Sequence, residues 1–256
     1  MEPFSLDGKK GLIVGIANDL SIAYGCAKVL KALGATLAVT YASSKSEQYV
    51  KPLAEELGAA IFMKMDVRDD GQLDAVFSNI KELWGELDFV IHSIAFANKV
   101  DLQAKVIDCS REGFLEAMDI SCYSLIKLSN LAAPLMKNGG SILAMSYIGS
   151  ERVVDNYGIM GPIKAALEST TKYLASELGY KGIRVNAISS GPIKTRAAGG
   201  IAQFDSMLTH AHNISPLQRV LTPDDVGNLS AFLTSNAAIC ITGEVIHVDC
   251  GYHIMG

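Results

Sequence analysis

Lys10-Gly11-Leu12-Ile13-Val14-Gly15 is a short apolar run that ends in glycine, and Ile16-Ala17-Asn18-Asp19-Leu20 then leads to Ser21. The run reads as a strand, the glycine as a tight turn, and Ser21 as the N-cap of a helix over about residues 22–33. A strand, a glycine turn and a helix start make an arrangement that receives phosphate, because free N–H groups and the positive end of the helix dipole face the turn. Gly11, Gly15 and Gly25 do not complete G-x-G-x-x-G. Taken alone, the motif is equally an ordinary strand-to-helix connection.

Outward from this unit the alternation continues. Residues 35–41 and 60–65 read as the next two strands, with a helix over 46–57 between them and Asp66-Val67 closing the third strand. A βαβαβ run of this kind is the mononucleotide-binding half of a doubly wound sheet. Further strands are read at 87–92, 140–146, 183–189 and 244–249, and helices at 72–84, 111–136, 157–178 and 223–234. The expected fold is therefore α/β: a Rossmann-type, doubly wound, seven-stranded parallel sheet flanked by helices, as a single domain over 1–256. No Pro/Ser linker, low-complexity tract or internal repeat divides the chain.

Composition agrees with a covered parallel sheet. A hydrophobic fraction of 49% and a mean hydropathy of +0.25 suit strands that are apolar on both faces. Twenty-two basic residues against 27 acidic ones give a net charge of −5 without a basic run, so nucleic acid is not an expected partner. Five cysteines, Cys26, Cys109, Cys122, Cys240 and Cys250, are widely spaced and form no C-x-x-C, which reads as free thiols in a reducing compartment. The first residues lack a basic start and an apolar stretch, and no window of about 18 apolar residues occurs. A cytoplasmic protein with no membrane partner is expected.

Tyr157-Gly158-Ile159-Met160-Gly161-Pro162-Ile163-Lys164 runs into good helix-forming residues. With the helix starting near the tyrosine, seven positions are about two turns, which sets the phenol and the ammonium on one face roughly 10 Å apart. A packed tyrosine and a solvated lysine of an amphipathic helix fit that pattern as well. Residues 196–215 hold Gly199 and Gly200 beside Ile201, Phe204, Met207 and Leu208, the pattern either of a mobile lid over an apolar substrate or of a surface helix. His210 and His212 lack further ligands nearby in sequence, so no metal site is expected. His92, at the end of a strand, is read as locally partnered and not as a catalytic base.

With these segments in place, the chain resembles the short-chain dehydrogenase/reductase superfamily over essentially its whole length, and within it the enoyl-acyl carrier protein reductases. The resemblance rests on Gly15-Ile16-Ala17-Asn18 with Ser21-Ile22-Ala23, Asp66-Val67, His92-Ser93-Ile94-Ala95-Phe96-Ala97, Ser146-Tyr147, Tyr157 with Met160-Gly161 and Lys164, and the segment from Arg184 to Thr195. Most of the superfamily uses Y-x-x-x-K, whereas Gly161 stands in the lysine position here and the lysine follows at Lys164. The enoyl reductases are similar in this wider spacing and in a second tyrosine like Tyr147.

The resemblance implies the reduction of trans-2-enoyl-acyl carrier protein by hydride transfer from NADH, the last step of fatty acid elongation. It implies Tyr157, Lys164 and Tyr147 as catalytic residues. Gly15, Ser21, Ile22, Asp66, Val67, Ser93, Ile94, Lys164, Ile193 and Thr195 are implied as cofactor contacts. Ala97, Tyr147, Tyr157, Met160, Ala197, Ile201 and Phe204 are implied around the acyl chain. It also implies acyl carrier protein as partner and a homotetramer packed through the helices at 111–136 and 157–178.

After the second strand, Tyr41-Ala42-Ser43-Ser44-Lys45 offers no guanidinium for an extra phosphate, which favours NADH. NADPH stays open because Ser43, Ser44 and Lys45 could share a phosphate. Two other readings compete: a ketone or alcohol reductase of the same superfamily, and a catalytically silent dinucleotide-binding regulator. Gly158 and Pro162 are weak helix formers, and Pro162 is harmless only in a first turn.

Overall fold

Adjacent residues in the central strands serve opposite layers of the molecule. Leu12, Val90 and Ile142 join one apolar core, while their neighbours Ile13, Ile91 and Leu143 join another, all of them fully buried. Alternation of side chains across a pleated strand produces this division, and it requires a cover on each face.

The computed structural model describes residues 3–196 and 198–255. Its strands are β1 Lys10–Val14, β2 Thr36–Tyr41, β3 Ile61–Lys64, β4 Phe89–His92, β5 Gly140–Ser146, β6 Ile183–Ser190 and β7 Val245–Val248. All pair in parallel, in one seven-stranded sheet of order β3-β2-β1-β4-β5-β6-β7. The sequence order reverses between β1 and β4, whose ends are in register at Val14 and His92. In open α/β sheets the crevice beyond the carboxyl ends at such a point is the ligand site.

The helices are α1 Ile22–Ala32, α2 Ser44–Glu56, α3 Asp70–Leu83, α4 Lys99–Gln103, α5 Arg111–Met118, α6 Ser124–Ala132, α7 Met160–Leu178, α8 Phe204–Ile214 and α9 Pro223–Thr234. One core joins Leu73 of α3, Leu128 of α6 and Leu167 of α7 to the sheet. On the other face Leu30 of α1, Val50 of α2 and Leu233 of α9 do the same. No helix among the described residues is long and apolar enough to cross a membrane.

Two local expectations fail for clear reasons. The helix expected over 111–136 is interrupted by a π-turn at Asp119–Tyr123, where the hydroxyl of Ser121 bonds the backbone of Phe96 in both directions, as acceptor from N at 2.9 Å and as donor to O at 3.1 Å. The helix expected from Tyr157 begins only at Met160, since Gly158 takes a φ of 51°. Pro162 then falls in the first turn, where an N–H has no intrahelical acceptor in any case.

Candidate active site

The loop after β1 lies against the loop after β4. Gly15 has a φ of 112°, and a Cβ there would come within 2.0 Å of the Ser93 carbonyl oxygen, so only glycine lets the two backbones pass. Ser21 precedes α1 but does not cap it. Its hydroxyl accepts from Ala17 N at 3.0 Å and Asn18 N at 3.1 Å, and donates to Asn18 Oδ1 at 3.2 Å. A serine hydroxyl can serve a loop or a helix start, and here the loop wins. The N–H groups of Ile22 and Ala23 consequently have no partner among the described residues.

The other expected cofactor residues lie along the same carboxyl edge. Asp66 and Val67 follow β3, and Arg68 grips the Asp66 carboxylate with Nε at 3.0 Å and Nη2 at 2.7 Å, which holds its pKa below the usual carboxylate range. Ser93 and Ile94 follow β4 and are half-buried. Ile193, after β6, is buried, and Thr195 Oγ1 accepts from Ala198 N at 3.1 Å.

Tyr157 and Lys164 do not share a helix face, because Tyr157 sits in the turn before α7. Its ring is buried with its centroid 4.8 Å from that of Tyr147, the planes 59° apart. The Tyr157 hydroxyl makes no hydrogen bond among the described residues, and burial, followed by Tyr147 and Glu168, pushes its pKa up. Such a phenol keeps its proton and is free to donate it in a hydrogen bond. Lys164, 5% exposed, donates from Nζ to the Met145 carbonyl oxygen at 2.6 Å. Burial pushes Lys164 down to about 8, against an opposing pull from Glu168 and then Cys122.

An apolar cluster surrounds the two tyrosines. Ile148, Ile159, Met160 and Ile163 form it with Tyr147 and Tyr157, and Ala97, Ile201 and Met207 pack against it. Phe204 is buried at the start of α8, outside this cluster. Ala197 lies outside the described residues. Burial and then Tyr252 and Asp249 push the Tyr147 pKa up, and its hydroxyl donates to Met207 Sδ at 3.6 Å. Lys194 pairs with Asp205 at 2.9 Å, and Gln103 Nε2 donates to the Gly200 carbonyl at 3.2 Å, tying the segment over 196–215 to its surroundings.

Sequence reading missed three members of this site. Gly149 lies so close under Tyr157 that a Cβ would stand 2.4 Å from Cδ1 of its ring. Glu168 and Met207 stood in the sequence only as a helix former and as one residue of an apolar face. Spacing of four from Lys164 was the available signal for Glu168. His92 bonds Ser124 Oγ at 2.7 Å, the local partner expected of it. His210 and His212 are exposed, and no group of three or more His, Cys, Asp or Glu among the described residues could hold a metal.

A family model described as enoyl-(acyl carrier protein) reductase matches residues 15–253. The chain belongs to this family. It is 49% identical over 251 residues to the enoyl-[acyl-carrier-protein] reductase [NADH] of Rickettsia typhi, covering 98% of this chain and 96% of that one. The crystal structure of the Anaplasma phagocytophilum reductase in complex with NAD has a TM-score of 0.94 and 49% identity, covering 98% of this chain and 96% of that one. The Bacillus cereus reductase with NADP+ and indole naphthyridinone has a TM-score of 0.96 and 46% identity, covering 100% of both chains. Among enoyl reductases of this fold, therefore, the paired tyrosines, the buried lysine and the apolar cluster make up the candidate reaction centre of this chain.

Proposed function

We propose that this enoyl reductase reduces the trans-2 double bond of enoyl thioesters on acyl carrier protein, with NADH as hydride donor, in the last step of fatty acid elongation. The observation that carries this reading is the protonated, unengaged Tyr157 hydroxyl next to Tyr147 in an apolar cluster, with Lys164 buried nearby.

The crevice above β1 and β4 fits a dinucleotide. The N–H groups of Ile22 and Ala23, without a partner among the described residues, suit a pyrophosphate, and Gly15, Ser93, Ile94, Ile193 and Thr195, which follow the carboxyl ends of β1, β4 and β6, suit the rest of the dinucleotide. Lys164 donates one N–H to the Met145 carbonyl oxygen, and its ammonium has two more N–H donors for ribose hydroxyls. Asp66 and Val67 suit the adenine end. Held at its ribose by Lys164, a reduced nicotinamide would supply a hydride to the β-carbon of the substrate.

As the β-carbon gains hydride, electron density moves to the thioester carbonyl oxygen. Tyr157 donates a hydrogen bond to that oxygen, and the ammonium of Lys164 adds positive charge in a water-poor site, where such stabilisation is strongest. The α-carbon then takes up a proton. Tyr147 walls the thioester pocket, and Met160 and Ile201 of the apolar cluster surround the acyl chain, where each buried methylene contributes about 0.8 kcal/mol without directional demand. Residues 196–215 act as the lid of the single domain.

Cofactor choice follows from the end of β2. Ser43 is already engaged in a capping box with Ser46, and no arginine adjoins it in sequence. A homotetramer is part of the same reading, since Phe114, Leu115, Tyr123, Ile126 and Tyr173 on and between α5, α6 and α7 are exposed apolar residues. So is residence in the cytoplasm, where acyl carrier protein is the partner.

A matrix of crotonyl and β-ketoacyl thioesters against NADH and NADPH tests the reading. Turnover of crotonyl thioester with NADH is expected. Turnover of the ketoacyl substrate alone favours a carbonyl reductase, and cofactor binding without turnover favours a silent regulator. Light scattering at the mass of four chains is expected, and a monomer overturns the tetramer.

A further inference from the structure

Glu168 lies one helical turn beyond Lys164 on α7 and is only 8% exposed. Its Oε1 accepts from Ser146 Oγ and, at 2.7 Å, from Ser150 Oγ. Ser146 ends β5, directly between Met145, whose carbonyl receives Lys164, and Tyr147. Ser150 Oγ also lies 3.0 Å from the Tyr147 carbonyl oxygen. One side chain thus holds both ends of the turn that bears Tyr147, from the helix that bears Lys164.

A carboxylate is a costly device for joining two hydroxyls inside a protein, because an amide oxygen accepts the same bonds without a buried charge. What the charge adds is a field at Lys164. We propose that Glu168 is a positioning residue of the reaction: it fixes the Tyr147 turn through Ser146 and Ser150 and holds Lys164 as a cation. This inference rests on the reductase reading above.

Lys164 faces Glu168 on its own helix, Cys122 from the π-turn between α5 and α6, and His92 from the end of β4. His92 is held neutral, down at about 3, by burial and then by Lys164. Glu168 is the carboxylate of the set and the larger of the two influences that oppose the burial of Lys164.

The test is the pH dependence of kcat/KM for NADH in the full chain, with crotonyl thioester saturating. Glu168→Gln keeps an acceptor oxygen for both serines and removes the charge. The basic limb is expected to move about one unit toward lower pH. At pH 8 the loss in kcat/KM is then roughly fivefold. Ser150→Ala is expected to lower kcat about tenfold with the limb unmoved, by loosening the Tyr147 turn.

A Glu168→Gln profile superimposed on that of the unaltered chain overturns the proposal. If Glu168→Gln does not fold, as judged by circular dichroism, Ser150→Ala decides, and an unchanged kcat there overturns it. Failure of the unaltered chain to reduce crotonyl thioester overturns the reductase reading itself, which is a distinguishable outcome.

Discussion

The rings of Tyr147 and Tyr157 meet with 4.8 Å between centroids and 59° between planes, although one follows β5 and the other precedes α7. Each phenol has a separate fate within that contact. Tyr147 donates to Met207 Sδ, whereas Tyr157 has no hydrogen-bond partner among the described residues. The tilted pair leaves one donor held and one available.

Gly149 sets this geometry. A Cβ there would lie 2.4 Å from Cδ1 of Tyr157 and 3.3 Å from Cδ1 of Tyr147, both part of stiff rings packed in the apolar cluster. Gly149→Ala is expected to shift the Tyr157 ring and to lower kcat roughly a hundredfold, since a displacement near 1 Å is enough for such a loss. NADH binding, measured by fluorescence titration, is expected to stay near its original affinity. Unchanged kcat contradicts the role of this contact.

Tyr157→Phe removes the donor and leaves the ring. The expected loss in kcat with crotonyl thioester is roughly 100- to 1000-fold, the usual cost of one oxyanion donor. Tyr147→Phe is expected to cost less, because that hydroxyl already serves Met207. Steady-state kinetics of both variants decides the order, and an equal loss in the two reverses the assignment of roles.

The sheet was legible because parallel strands buried on both faces are written as short apolar runs, and all seven runs became strands. Hydrogen-bond choices among neighbours were not legible in the same way. Ser21 has the residue type and position of a helix cap, but two loop N–H groups compete for it and win. The break at Asp119–Tyr123 belongs with a bond between Ser121 and Phe96, 25 residues earlier, which no local pattern announces. Tyr157 and Lys164 are both buried, yet the expected common helix face fails because Gly158 delays the helix. Spacing of four from Lys164 hints at Glu168 but not at its bond to Ser150, 18 residues earlier, and no periodic pattern marks Gly149, which acts by close approach to the Tyr157 ring.

His92 makes stability depend on pH. Ser124 Oγ donates to the Ile120 carbonyl at 2.6 Å, so the 2.7 Å contact with His92 Nε2 assigns the ring proton to that nitrogen. Burial, then Lys164, holds the folded pKa near 3, below the ordinary 6.5. The unfolded chain therefore binds a proton that the folded chain refuses. Stability is full above pH 6.5 and falls as pH drops toward 3, by on the order of 4 kcal/mol for this group. Urea unfolding at pH 7 and pH 4.5 is expected to show the loss. His92→Gln, which keeps a donor for Ser124, is expected to flatten it, and equal slopes in the two proteins remove His92 as the cause.

Cofactor choice is expected to yield to one substitution. Ala42 follows β2 and is exposed, and Ser43 beside it is closed in its capping box with Ser46. A 2′-phosphate there has Lys45 as its nearest cation in sequence, while the guanidinium of Arg196 is stacked over the Tyr49 ring of α2, 5.7 Å from its centroid. Ala42→Arg supplies charge-assisted, bidentate donors of the kind that recognise that phosphate. The ratio of kcat/KM for NADH over NADPH is expected to exceed ten in the unaltered chain and to fall about tenfold or more in Ala42→Arg, equivalent to about 1.4 kcal/mol. Added salt is expected to weaken NADPH use by the variant more than NADH use, because the new attraction lies at the surface. A chain that already prefers NADPH, or a variant with an unchanged ratio, places the discriminating contact elsewhere than at the end of β2.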